Sequence, residues 1–349
     1  MRYILLTCFL IVATHSFAQK AELFTTSKCF DFIASLQYFD KLKDHPKFSH
    51  IATDSTFMHN LNHINREITA SKLCNFYAMF TDERNDLDSC VTFFNKLNKN
   101  NDIQYSNEEW IKHIVSLQPE LSQCFTMIKE ADYSEYWDSQ IKPELDNYIR
   151  SYPIKNELLD KIHSAMTDFS GSEGLSETHS KTYVMNIDNA FNLSDESFCC
   201  TPVLLDPKME KQFRLDFIKV YIHENLHRLK ISNELMGKLD ELMADDFYRE
   251  NEEKAREYNE GRNEAFVVAA EVFISKKIGR RDDKSVYEEF KEYIDGSLVL
   301  APIIYTHLNE KKDNETLNDF ILRLFHSGII KIGFIKDEYD KAMTLLIHY

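Results

Sequence analysis

Phe217-Ile218-Lys219-Val220-Tyr221-Ile222-His223-Glu224-Asn225-Leu226-His227 is the stretch on which the reading of this chain turns. It contains neither Gly nor Pro. Phe213, Phe217, Ile218, Tyr221, Ile222 and Leu229 form a wide apolar stripe between Met209 and Lys230, which predicts a helix. A helix turns once in about 3.6 residues, so His223 and His227 project from one face. Two imidazoles at that spacing can each offer a ring nitrogen to a single ion. Glu224 stands beside them, placed to take a proton from a water activated on that ion. The pattern HExxH therefore predicts a zinc site with His223 and His227 as ligands and Glu224 as general base. An ordinary histidine pair on a solvated helix is the competing reading. Val220, Ile222, Leu226 and Leu229 suit burial and count against it, because buried imidazoles require partners. Arg228 is the one charged departure in this apolar setting.

A third ligand is needed downstream. The motif does not continue as HExxHxxGxxH, so a third histidine at that spacing is excluded. Glu264 opens the apolar run Ala265-Phe266-Val267-Val268-Ala269-Ala270, after Gly261 has ended a charged stretch from Asp240 to Arg262. A carboxylate entering a buried helix requires a cationic partner or a metal to offset desolvation. Glu271, two turns further along the same face, and Glu241, followed four residues later by Asp245, are the alternatives.

Around this centre the chain reads as mainly α (α+β). Only 8 Gly and 7 Pro in 349 residues favour long helices over many short strands. From Gln19 to about Pro153 aromatic residues recur at helical spacing: Phe32, Leu36 and Phe39, then Phe93, Phe94 and Leu97, then Trp110, Ile114 and Leu117. Ser170-Gly171-Ser172-Glu173-Gly174 reads as a loop. Thr182–Ile187 and Thr201–Leu205 read as short strands, the second closed by Pro207. The domain reading is a helical region over 19–155 and a second domain, carrying the metal motif, over 156–349.

The first residues predict export. Arg2 gives a positive start, Tyr3–Ala13 an apolar core, and Ser16 and Ala18 the small residues of a cleavage site before Gln19. Residues 1–18 thus read as a signal peptide, and the mature chain as secreted or periplasmic with no membrane span. A net charge of −16 argues against nucleic acid as a partner. Cys29, Cys74, Cys90, Cys124, Cys199 and Cys200 follow the leader and permit disulfides, while the absence of CxxC pairs argues against a thiolate zinc cluster.

HENLH at 223–227 with Asn263-Glu264 downstream resembles the gluzincin superfamily, whose thermolysin-like enzymes combine HExxH with a later Asn-Glu pair. The chain also resembles a family of exported bacterial proteins known only as a domain of unknown function. That resemblance is carried by the segment from Leu36 to Pro46, the HExxH helix, and the glutamate before an apolar run at Glu264–Ala270. It implies a zincin-like catalytic half with Glu264 as ligand. Val268 departs from the thermolysin-like enzymes, which have an aspartate four residues after the ligand glutamate, so support for the ligands would come from Glu271, Asp245 or a carbonyl instead. The resemblance further implies that an edge strand, here Tyr183–Ile187, pairs with an extended substrate. It also implies an oxyanion-stabilising Tyr or His, for which Tyr305, His307 and His326 are available. The function expected is hydrolysis of a peptide or protein substrate. The alternative is an exported helical binding protein whose zinc site is structural or degenerate.

Overall fold

The computed structural model describes residues 23–99, 103, 108–171, 175, 181–193, 197–206, 216–258 and 260–347. The expected leader through Ala18, the loop residues Ser172–Gly174, Pro207, and Met209 and Phe213 of the apolar stripe lie outside them. The protein is mainly helical with a small mixed sheet, as expected from its scarcity of Gly and Pro. Among the described residues, no helix is long and apolar enough to cross a membrane.

The described residues fall into two compact units. One comprises the chain through Pro153 together with those between 180 and 210. It holds helices α1 (Lys28–Ala34), α2 (Ser55–Glu67), α3 (Ala70–Phe80), α4 (Leu87–Asn95), α5 (Glu109–Ser116), α6 (Gln118–Glu130) and α7 (Lys142–Ser151). The helices begin where side chains can satisfy open backbone N–H groups: Asp54 caps α2, Thr69 caps α3 and Asp86 caps α4. The aromatic stripes are core apart from half-buried Phe93 and Trp110, although the helices stop short of Phe39 and Leu97. α1 ends at Ala34 and Phe39 lies in a 3-10 turn; Leu97 likewise follows α4 in a 3-10 turn. Phe32 and Phe94 both meet Phe125, with ring centroids 5.1 and 4.6 Å apart. Pro119 begins a new helix rather than closing the old one, since its missing N–H costs nothing in a first turn.

This unit also holds the sheet, of strands β1 (Phe24–Thr25), β2 (Thr182–Val184), β3 (Ala190–Asn192) and β4 (Phe198–Cys200), in the order β1-β2-β4-β3. β1 and β4 both run parallel to β2, with Phe24 opposite Thr182 and Tyr183 opposite Cys199; β3 is antiparallel to β4. Three expectations are corrected here. The first strand ends at Val184, not Ile187. It is an interior strand with neighbours on both sides, so its backbone is not a free edge for a substrate. Thr201–Leu205 is not a strand: Pro202–Leu205 form a 3-10 turn capped by the Thr201 hydroxyl, with Pro202 supplying a helical φ. The six cysteines are all buried, and Cys29, Cys74, Cys90 and Cys124 are thiols.

The second unit comprises the described residues from Ile154 to Leu175 and from Asp216 onward. Its helices are α8 (Asn156–Ser170), α9 (Phe217–Leu226), α10 (Asn233–Leu242), α11 (Asp246–Glu257), α12 (Glu264–Lys277), α13 (Asp283–Glu292), α14 (Leu300–His307), α15 (Leu317–His326) and α16 (Ile335–Ile347). No strand occurs in this unit among the described residues. α12 is its central element: every residue from Glu264 to Val272 is buried, and it packs against α8, α9 and α14. A helix enclosed this way needs an apolar surface all round, which the Ala-Phe-Val-Val-Ala-Ala run provides.

Candidate metal centre

α9 carries the HExxH motif, and its start is fixed by Asp216. The Asp216 carboxylate accepts the Ile218 N–H at 3.1 Å and pairs with Arg280 at 2.5 Å. The helix presents His223 in its last turn, and His227 follows as the capping residue. His227 keeps helical backbone angles and donates its N–H to the His223 carbonyl at 3.3 Å, so the two imidazoles lie one turn apart and meet edge to face. Their Nε2 atoms lie 3.0 Å from each other.

Glu264, the first residue of α12, faces this pair. Its Oε1 is 3.3 Å from His223 Nε2, and its Oε2 is 3.4 Å from His227 Nε2. One donor atom from each residue can be chosen so that all three lie within 4.8 Å of one another. Donors held at about 2.0–2.2 Å by a tetrahedral ion are separated by about 3.3–3.6 Å, close to the spacings seen here. The Glu264 side chain is 1% exposed, those of His223 and His227 13% and 26%, so the triangle opens toward His227. Glu224, on the same helix turn, is half-buried, and its charge acts on Glu264.

The electrostatics of these groups fit a cation. Burial, reinforced by His227 and Lys219, holds His223 well below the usual histidine range, and burial lowers His227 to about 4. Both rings are neutral at pH 7, the form that binds metal. Burial, and then the charge of nearby Glu260, pushes the Glu264 carboxyl up to about 8 against the lowering effect of a hydrogen bond from Tyr293. Glu264 Oε2 is buried and makes no hydrogen bond among the described residues. A positive ion among these donors would satisfy that oxygen and offset the desolvation. The residues present therefore suit zinc, a metal that imidazole and carboxylate donors commonly hold.

Behind the donors lies a layer of which sequence reading named only Glu271. Tyr293, just past α13, donates its hydroxyl to Glu264 Oε1 at 3.0 Å. Lys219, one turn before His223, stands 5.1 Å from the centroid of the Tyr293 ring and pairs with Glu289 at 2.5 Å. Arg281 bonds Glu289 at 3.1 Å and Glu271 at 3.1 and 3.3 Å, and Ser275 donates to Glu271 at 2.7 Å. After Tyr293 the backbone makes a left-handed turn through Ile294 (φ 50°), Asp295 (φ 52°) and Gly296 (φ 72°). A β-branched residue in that region is strained by about 1–3 kcal/mol. Gly296 is required: a Cβ there would lie 2.9 Å from the Lys291 carbonyl oxygen.

The other residues singled out from sequence are engaged elsewhere. Glu271 is wholly buried, but it belongs to the Arg281 ion pair. Glu241 pairs with Lys238 at 2.7 Å on an exposed face. Asp245 caps α11 through the Tyr248 N–H and accepts the Gly333 N–H at 2.7 Å. Arg228 lies back along its own helix, donating to Asn225 at 3.2 Å. Tyr305 packs its ring on Phe290 at 5.2 Å, His307 contacts Glu310 at 2.8 Å, and His326 lines a hollow with Lys238 and Ile330. No spacing rule ties Tyr293 to Glu264 across 29 residues of sequence; only the fold brings them together. No family model matches the chain, and no match is found among curated proteins or solved structures.

Proposed function

We propose that this chain is a zinc-dependent peptidase of gluzincin-like chemistry, working outside the cytoplasm on peptide or protein substrates. The observation that carries the reading is the buried Glu264 carboxylate, which faces two neutral imidazoles with one oxygen lacking a hydrogen bond. His223, His227 and Glu264 would hold the ion. When bound, zinc supplies a Lewis acid that polarises a carbonyl and brings water toward neutral pKa. Glu224 takes the proton of the attacking water and delivers it to the leaving amine nitrogen. Arg281 and Glu289 neutralise Glu271 and Lys219, whereas Glu264 has no ion pair with a lysine or arginine among the described residues. The leader-like sequence at residues 1–18 supports action outside the cytoplasm.

A second reading has one observation in its favour. Among the described residues the unit bearing the donors has no strand to align an extended peptide. In that reading the zinc ties α9 to α12 in a binding protein and no bond is cleaved. The two readings separate on a single comparison. Wild type and Glu224→Gln are loaded with zinc and incubated with a mixed quenched-fluorescent peptide library. Cleavage by wild type alone, at equal zinc content, supports the peptidase; no cleavage by either supports the tie.

A further inference from the structure

We infer that Tyr293 is a positioning residue that divides the two oxygens of Glu264, engaging Oε1 so that Oε2 is presented to the metal. This rests on the zinc reading above. The division is visible in the bonding. The Tyr293 hydroxyl donates to Oε1 at 3.0 Å, whereas Oε2 has no hydrogen bond and lies 3.4 Å from His227 Nε2. A carboxylate bound by a donor on one oxygen has lost its rotational freedom, and the oxygen without a donor keeps both of its lone pairs for the ion.

Two further features hold the phenol in place. The Lys219 ammonium stands over the Tyr293 ring, 5.1 Å from its centroid, and is itself anchored by Glu289 at 2.5 Å. Lys219 precedes His223 by four residues on α9, so the ring is referenced to the helix that carries the histidines. On the other side, the left-handed turn at 294–296 fixes the direction in which Tyr293 leaves α13. That turn is tethered to α11, since Tyr258 donates to Asp295 Oδ2 at 2.6 Å and Lys254 donates to the Asp295 carbonyl at 3.3 Å. Backbone strain of this kind persists where the surroundings over-determine it, and it clusters at functional sites. Here it sits next to Tyr293, whose hydroxyl donates to the Glu264 carboxylate.

The test compares full-length wild type with Tyr293→Phe, which removes the hydroxyl and keeps the ring beneath Lys219. Zinc affinity is measured by competition with a chromophoric chelator, and the cobalt-substituted visible spectrum is recorded for both. The expected result is zinc binding weakened by about 10–100-fold with an altered cobalt spectrum, while the metal-free far-UV spectrum is unchanged. A merely structural tyrosine would shift the unfolding temperature and leave affinity and cobalt spectrum alone, which overturns the inference. Should the variant not fold, the wild type still decides. Zinc saturation is expected to give a tyrosine near-UV difference band, because the ion draws charge from the carboxylate to which Tyr293 donates; a flat difference spectrum overturns the inference. Wild type that takes up neither zinc nor cobalt removes the zinc reading together with this one. Wild type that binds both, with Tyr293→Phe unchanged, removes this one alone.

Discussion

His223 Nε2 and His227 Nε2 lie 3.0 Å apart across a single helical turn, and a buried carboxylate closes the third side of the triangle. The two neutral rings can share one hydrogen bond, whereas a shared cation would engage both rings and the desolvated acid at once. The ligand assignment that follows is specific. Glu264→Ala is expected to abolish zinc retention, whereas Glu241→Ala, altering an exposed residue paired with Lys238, retains zinc at the wild-type level. Metal analysis after gel filtration of each variant checks both.

Glu224 carries a separate expectation. Because the proposed function assigns it the proton and not the ion, Glu224→Gln is expected to keep zinc and to lose peptide hydrolysis by about 10²–10⁴-fold or more. Steady-state cleavage rates normalised to zinc content measure it. Equal rates in the two proteins would deny Glu224 the role of general base.

The centre of α9, the histidine spacing and Glu264 were legible in the sequence because each rests on local order. Four residues return to the same face of any helix, and an acid at the head of an apolar run stands out by its desolvation, although Glu271 and Glu241 stayed open beside it. The sheet was not legible to the same degree. β1 has two residues and β3 and β4 three each, too few to show alternation, so the neighbours that turn β2 into an interior strand left no pattern. Pro202 misled in the other direction, since its fixed φ suits both an extended segment and the 3-10 turn it enters. Tyr293, Lys219 and Arg281 are ordinary residues in sequence, and their roles arise only from the packing of α9, α12 and α13.

The ion network beneath the donors predicts a stability effect. Arg281 is 8% exposed and satisfies both Glu271 and Glu289. Arg281→Met would leave Glu271 buried without its cation, a change that commonly destabilises by about 3–5 kcal/mol. Urea unfolding is expected to show a loss of that size. Replacing Glu271 and Arg281 together by apolar residues is expected to recover part of it, because no uncompensated charge then remains.

Asp31 gives a pH dependence in the other unit. Its carboxylate accepts the Trp137 indole N–H at 2.8 Å and the Asn186 N–H at 2.7 Å, yet burial pushes its pKa from 3.8 up to about 7. The folded state therefore binds the proton more tightly than the unfolded state. The Asp31 contribution to stability is greatest below about pH 4 and is lost as pH rises toward about 7, by up to about 4 kcal/mol. Unfolding free energies of wild type and Asp31→Asn across that range isolate the effect. Their difference is expected to change with pH, and a constant difference would contradict it.

Zinc content of the purified full-length wild type tests the central claim most directly. Protein incubated with excess zinc, freed of unbound metal by gel filtration and analysed by mass spectrometry of the elements, is predicted to carry one zinc per chain. Wild type that emerges folded and free of zinc would contradict the account.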